Sequence, residues 1–394
     1  MVGEFSKEEQ ALLQLLKSAL LGEKYRFEED TDKTILIGLA KKHAVIPFLY
    51  DAVDEKELPE VYMDIISSES RRTVLQSYRL LFLTKQVSEL LERNNIPFAV
   101  LKGIATASFY KTPELRKSGD VDLLLLREED EKKAETLLSE AGFIVSSEQH
   151  ANHHTVFVSP DGIDVEVHTM LAEPFAYKKI NMAMEAKMPL CREHVMKTDS
   201  MGVEIPVLDK PFHAYELLLH MLQHFVYAGF GLKLLCDWVI LWNYDWLEEE
   251  KQLYKQLVEE SEISKFAEAV TAVCSKYLGL NKANYAWEYE DSMADVMLRE
   301  VLDAEDMGWS ASSRMVMMSG TGLSAYVKEF HHQMQLNYPR AGRCFLLWPI
   351  LWLSTLVKFL RNNQKVRNTS ANKILKEASR RSGLMKELDL FRNH

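Results

Sequence analysis

Asp120 and Asp122 stand one residue apart in Ser118-Gly119-Asp120-Val121-Asp122, directly ahead of four leucines, Leu123 to Leu126. The apolar run reads as a buried strand, and residues i and i+2 of a strand point to one face. Two like charges at the mouth of such a strand repel. They are costly to desolvate unless a cation, a proton or an arginine stands between them, and a divalent metal meets that need. Downstream, Gly162-Ile163-Asp164-Val165-Glu166-Val167-His168 alternates β-branched residues with Asp164, Glu166 and His168. One face of that strand is therefore core and the other carries ligand-type side chains. If the two strands adjoin, three or four carboxylates converge. Hard oxygen ligands favour Mg²⁺ or Mn²⁺ over Zn²⁺. Mg²⁺ held by few carboxylates shares its coordination with substrate phosphates, which is the chemistry of phosphoryl or nucleotidyl transfer.

The flanking residues fit an anionic substrate. Ile96 to Leu101 is an apolar strand that ends at Lys102 and Gly103 and runs into a short helical segment, Ile104 to Tyr110. A strand, a glycine and a helix start present backbone N–H groups to an anion, and Lys102 adds a point charge. Arg116 is suited either to clamp a phosphate or to neutralise the Asp pair. His168, on the face of Glu166, can orient that carboxylate or contact phosphate. His220 and His224 have the i, i+4 spacing of a two-histidine metal site on the amphipathic stretch Phe212 to Val226. Met221 follows His220 where a zinc protease motif has glutamate, so the pair is expected at a helix interface, with Asp237 a candidate partner for one ring. His150, His153 and His154 are expected to precede or begin a strand near the site. The plainer reading of Asp120 and Asp122, a solvated strand end or helix cap, conflicts with the leucines that follow. Removing Asp122 is expected to leave stability unchanged or improved, through relief of like-charge repulsion.

Taken together, Leu101-Lys102-Gly103, Tyr110, Arg116 with Ser118, Asp120, Val121 and Asp122, and Glu166-Val167-His168 resemble a little-characterised bacterial nucleotidyltransferase family of the DNA polymerase β-like superfamily. Leu39 to His43 with Ile46-Pro47, the helix with His220 and His224, Asp237, Tyr338-Pro339 and Leu347-Trp348-Pro349 are also similar to that family's pattern. The resemblance implies that Asp120 and Asp122 hold two Mg²⁺ (or Mn²⁺) ions on a nucleoside triphosphate such as ATP. Glu166 would be the third carboxylate, binding the ion that activates an acceptor hydroxyl and helping to remove its proton. The two ions would then stabilise the attacking and leaving oxygens. Strand alternation alone leaves Asp164 open beside Glu166. Gly103 would belong to the loop that holds the triphosphate, with Lys102, Arg116, Ser118 and His168 on the nucleotide side. The superfamily's glycine pair or Gly-Ser is here Lys102-Gly103-Ile104, and the interval from Gly103 to Asp120 is longer than usual. That departure keeps a catalytically silent nucleotide-binding or scaffold protein as the alternative to an active transferase.

The implied fold class is α+β: a small mixed nucleotidyltransferase-type sheet flanked by N-terminal helices and a large C-terminal helical region. The expected division is residues 1–95, helical; 96–210, catalytic; and 211–394, helical. Ser6 to Glu9 reads as a capping box opening the first helix. Strands are expected at Phe98 to Leu101, Val121 to Leu126, Phe143 to Ser147, Thr155 to Ser159, Ile163 to His168 and Val203 to Leu208. Beyond them Pro211 is placed as a first-turn helix residue.

With 394 residues and 47% apolar content the chain can bury a large core. A net charge of -11 argues against a sequence-independent grip on nucleic acid and towards a small or protein hydroxyl acceptor. Cys191, Cys236, Cys274 and Cys344 show no paired spacing and fit free thiols in the cytoplasm. The first residues lack the order of a signal peptide. Cys344 to Val357 is uncharged and tryptophan-rich. It is shorter than a membrane span and interrupted by Pro349, so a buried helix is expected there. Monotopic membrane contact through 344–361 is the alternative, supported by the basic stretch Lys365 to Arg381.

Overall fold

A computed structural model describes residues 4–304 apart from 55, 147–153, 176 and 228, then 323–338, 341–366, 383, 384, 387, 388 and 390. The chain begins with helices α1 (Lys7–Leu21), α2 (Lys33–Lys42) and the long α3 (Glu60–Arg93). The Ser6 side chain accepts from the Glu9 backbone while Glu9 caps the Ser6 N–H, so the expected capping box is present.

Next come β1 (Phe98–Leu101), α4 (Lys102–Ala107), β2 (Val121–Leu125), α5 (Glu131–Glu140), β3 (Ile144–Val145), β4 (His154–Val158) and β5 (Asp164–His168). They are followed by α6 (Lys178–Lys187), β6 (Val195–Ser200) and β7 (Val203–Leu208). The strands form one mixed sheet in the order β3-β4-β5-β2-β1-β7-β6. β2 is central, antiparallel to β1 and parallel to β5.

Alternation along these strands divides the apolar residues between two cores. Val100 of β1, Leu123 and Leu125 of β2, Val165 and Val167 of β5 and Val207 of β7 pack with Leu80, Leu83 and Val87 of α3. Ala99, Leu101 and Leu124 face the opposite way, into a second core that includes Leu217, Leu218 and Leu222. Those leucines belong to α7 (Lys210–Tyr227), which opens a helical region with α8 (Leu232–Trp242), α9 (Glu248–Glu260), α10 (Ser264–Leu278) and α11 (Ala294–Ala304). Asp122, Glu166 and His168 take the alternate positions between the α3-facing residues. The fold thus turns them to the side of α7.

Two further helices are described, α12 (Leu323–Asn337) and α13 (Trp348–Val366). Here the structure corrects the expectation of a buried helix. Phe345, Leu346, Ile350 and Leu353 are 63% to 71% exposed, and only Thr355 is buried in the stretch 344–357. Its apolar side chains form an outward surface. His150, His153 and Pro339, with the basic stretch from residue 367, lie outside the described residues.

Candidate active site

β2 carries Asp122 in register with Leu101 on one side and Glu166 on the other. The parallel pairing of β2 with β5 is what brings residues distant in sequence to neighbouring positions. Alternation puts Glu166 and His168 on one face, and one ligand atom each from Asp122, Glu166 and His168 lies within 4.8 Å of the others. Asp164, the open alternative, is solvent-exposed opposite Val158 of β4, at the far end of β5 from His168. Glu166 is the carboxylate at the site.

Asp122 is buried and doubly compensated. Lys102 Nζ donates to its Oδ1 at 2.9 Å, and His168 Nε2 sits 2.9 Å from the same oxygen and 3.3 Å from Glu166 Oε2. Burial works against ionisation of Asp122, but Lys102 and His168 outweigh it and hold this carboxyl well below the usual carboxylate range. Burial and the Lys102 charge oppose protonation of His168; its two carboxylate partners overcome both and raise its pKa. Burial opposes ionisation of Glu166, but the bond to His168 together with the charges of His168 and Lys102 outweighs it and lowers its pKa.

The like-charge penalty falls instead on Asp120. Lying just ahead of β2, its carboxyl is pushed up to about 6 by the charge of Asp122, by burial and by Glu166. Removing Asp122 would relieve that repulsion and would also deprive Lys102 and His168 of their shared carboxylate. Asp122 is the member of the pair with counter-ions, and Asp120 carries the repulsion.

The Arg116 guanidinium is held in a buried network at the edge of the site. Its Nε and Nη2 donate to Asp237 Oδ1 and Oδ2 at 2.8 and 2.7 Å, and its Nη1 donates to Ser118 Oγ at 2.7 Å and the Gly103 carbonyl at 3.2 Å. Tyr110 donates to Asp237 Oδ1 at 2.7 Å. One buried guanidinium thus ties the Gly103 turn and the loop before β2 to α8. Asp237 is the partner of Arg116 and Tyr110, not of His220 or His224. Ser118 serves the same brace, its Oγ lying 3.5 Å from where a Cβ on Gly103 would stand.

These residues open onto a cavity of about 320 Å³, the size class of a small-molecule site. Asp120, Asp122 and Glu166 line its sheet side; His220, Gln223 and His224 of α7 and Lys233 of α8 line the other. The rings of His220 and His224 meet edge to face, 4.5 Å apart, and burial pushes His224 down to about 4. The two imidazoles are neutral near pH 7 and half-buried, a cavity wall more than an interface between helices. His154, paired in register with His168, also lines the cavity.

Sequence reasoning missed Glu216 of α7. It is fully buried, and among the described residues neither carboxylate oxygen has a hydrogen-bond partner. Burial pushes it up to about 7. His213, Glu216, His220 and Gln223 recur every three or four residues on α7. A polar stripe inside an otherwise apolar helix was the available signal.

Comparison with curated proteins found no match. Among solved structures, an antigenic nucleotidyltransferase-like protein from Paracoccidioides brasiliensis is 15% identical, aligned over 50% of this chain and 91% of its own, with a TM-score of 0.29. A likeness that slight carries no weight for fold or function. The family comparison is decisive, because its match spans well over half of the chain and includes both acidic strands and α7. The protein belongs to the family described as "Uncharacterised nucleotidyltransferase", which matches residues 29–279.

Proposed function

We propose that the chain is a metal-dependent enzyme that moves a nucleoside monophosphate from a nucleoside triphosphate, ATP among them, to a hydroxyl on a small molecule or protein, releasing pyrophosphate. The observation that carries this reading is the meeting of Asp122, Glu166 and His168 within 4.8 Å at the wall of a cavity that Asp120 also lines. The donor set fits Mg²⁺ or Mn²⁺: Asp122 and Glu166 offer hard oxygens, Asp120 adds a third carboxylate on the same cavity, and the His168 imidazole suits Mn²⁺ as well. Asp120, Asp122 and Glu166 would hold the metal, which when bound neutralises phosphate charge and activates the acceptor oxygen.

The chain's own groups do the remaining work. Glu166, the most accessible acid of the cluster, accepts the proton of the acceptor hydroxyl. The acceptor oxygen forms its bond to the α-phosphorus as the bond from that phosphorus to the bridging oxygen breaks. Pyrophosphate leaves with the bonding electron pair. His168 orients Asp122 and Glu166. Gly103, fixed by Arg116 and Ser118, places the turn that receives the phosphates, with Lys102 beside it. The family's acceptor side is assigned here to the α7–α8 wall.

A catalytically silent nucleotide-binding protein is the second reading. It is favoured by Lys102 and His168, which already compensate Asp122. Isothermal titration with Mg²⁺ and each triphosphate, followed by a pyrophosphate-release assay over an acceptor panel, separates the two. Metal-dependent binding with turnover supports the enzyme. Binding without turnover supports the silent protein, and no binding removes both.

No helix among the described residues is long and apolar enough to cross a membrane. The four cysteines are unpaired thiols, which suits a cytoplasmic setting. The exposed apolar face of α13 adds contact with a membrane surface to this reading.

A further inference from the structure

The 34-residue helix α3 is inverted in polarity over part of its length. From Ile66 to Ser77 its buried side chains are Ile66 and three hydroxyl residues, Ser70, Thr73 and Ser77. The outer face carries Val61, Ile65, Leu75, Tyr78 and Phe82, all but Ile65 at least 50% exposed. Positions 61, 65, 68, 72, 75, 79 and 82 are all exposed, and their alternate spacing of four and three residues is the repeat that keeps one stripe of a helix against a partner helix. From Val61 to Phe82 the stripe is about 30 Å long. Exposed apolar side chains in such a row, rimmed by charge, mark an interaction surface.

The charges along α3 identify what covers it. Residues 60–70 hold Glu60, Asp64 and Glu69 and no base, whereas 71–88 hold Arg71, Arg72, Arg79 and Lys85 and no acid. A second α3 laid parallel would set acid on acid and base on base. Laid antiparallel, about an axis near residues 71 and 72, it sets Glu60 and Asp64 against Arg79 and Lys85, and Val61 and Ile65 against Phe82 and Tyr78. The pattern is complementary to itself in that direction, as a two-fold pairing of identical chains requires. Arg71 and Arg72 approach their counterparts near the axis, where Glu69, bonded to Arg72 at 3.0 Å, supplies the opposite charge.

Shape agrees with charge. Beside Val61 and Ile65, Tyr62 of α3 and Ile37, Gly38 and Lys41 of α2 complete an open groove of about 550 Å³. In the antiparallel arrangement this groove lies opposite Phe82 of the second copy, and the axis repeats the fit at the other end. An aromatic ring seated in an apolar groove is the usual anchor of an interface.

We propose that the outer face of α3 is a self-association surface, on which two copies of this chain pair antiparallel through the stripe from Val61 to Phe82. The pairing is independent of the transfer chemistry.

The test is sedimentation equilibrium of the full chain at about 100 µM, a concentration that detects even a weak dimer. The natural chain is expected at twice the mass of one chain. Leu75→Glu with Phe82→Glu should weaken the dimer at least about tenfold. Charge reversal tests the direction of pairing. Glu60→Lys with Asp64→Lys in one variant, and Arg79→Glu with Lys85→Glu in another, should each sediment as monomers, and an equal mixture of the two should regain the dimer. All the altered side chains are exposed, so far-ultraviolet circular dichroism should not change; if the glutamate variant loses helix, Leu75→Gln with Phe82→Gln takes its place. A natural chain that stays monomeric overturns the proposal, and flotation with vesicles through this face would then assign it to a lipid surface. A dimer that survives the changes at Leu75 and Phe82 is built on another face and overturns it equally. Charge variants that stay monomeric when mixed overturn the antiparallel pairing.

Discussion

Arg116 and Asp237 meet in a two-bond ion pair closed to solvent, with Nε–Oδ1 and Nη2–Oδ2 distances of 2.8 and 2.7 Å. The pair joins the loop before the central strand to the helix on the other side of the cavity. Breaking a buried pair from one side leaves an uncompensated charge, at a cost of about 3–5 kcal/mol. Asp237→Ala is therefore expected to lose stability of that order in urea unfolding. A loss under about 1 kcal/mol would show that the pair is dispensable for the fold.

Asp120 and Asp122 should respond in opposite ways to loss of charge. Asp120 has a folded pKa near 6, above its ordinary 3.8. A raised value means that its contribution is most favourable below the ordinary pKa and is lost as pH rises through the folded one. Asp120→Asn is expected to be more stable than the natural chain above pH 6 by up to about 2 kcal/mol, with the advantage gone near pH 4. Asp122→Asn removes a compensated charge and should lower the thermal midpoint at pH 7. Melting curves of both variants across pH check the assignment.

Both substitutions should abolish metal-dependent turnover. Asp120→Asn, Asp122→Asn and Glu166→Gln are each expected to cut pyrophosphate release by at least about a hundredfold. Far-ultraviolet circular dichroism should be unchanged for Asp120→Asn and Glu166→Gln. Turnover retained in Glu166→Gln would move the proton-accepting role to another group.

Glu216 gives a second pH signature. With a folded value near 7 against an ordinary 4.5, its ionisation opposes folding increasingly as pH rises through 7. Glu216→Gln should match the natural chain at pH 4 and exceed it at pH 8, by no more than about 3 kcal/mol. An equal midpoint at both pH values would mean that the carboxyl is paired in solution.

The surface of α13 makes a prediction of its own. Ile350 and Leu353 are 67% and 63% exposed, between Arg343 and Lys358. Flotation with anionic vesicles is expected to carry the full chain, and Ile350→Asp with Leu353→Asp should release it. Natural protein that stays at the bottom of the gradient removes the membrane from the proposed function.

Much of this architecture was readable from local pattern. β1, β2, β5 and β7 are dense in β-branched and leucine residues with uniform or alternating burial, and their positions agree with the sequence to within about two residues. β6 went unread because Val195-Met196-Lys197-Thr198-Asp199-Ser200 is a mostly exposed edge strand with no apolar alternation. α6 is short and weakly patterned, and it was missed as well. At the site, the convergence of Asp122, Glu166 and His168 followed from strand periodicity once the two strands were taken as neighbours. The partnership of Arg116 with Asp237, and of Lys102 with Asp122, did not. Pairings between side chains far apart in sequence depend on which helix packs over the sheet, and charge type alone says nothing of that. The surface run at 344–357 was misread for a related reason: an apolar stretch has the same composition whether it faces a core or the outside.

The parallel pairing of β2 with β5 has one last implication. Asp122 acquires Glu166 and His168 only when β5, further along the chain, pairs in parallel register beside β2. Until then the acids and the ammonium at Lys102 have no common enclosure. The grouping of Asp122, Glu166 and His168 is thus a property of the paired strands, and no single stretch of the chain carries it.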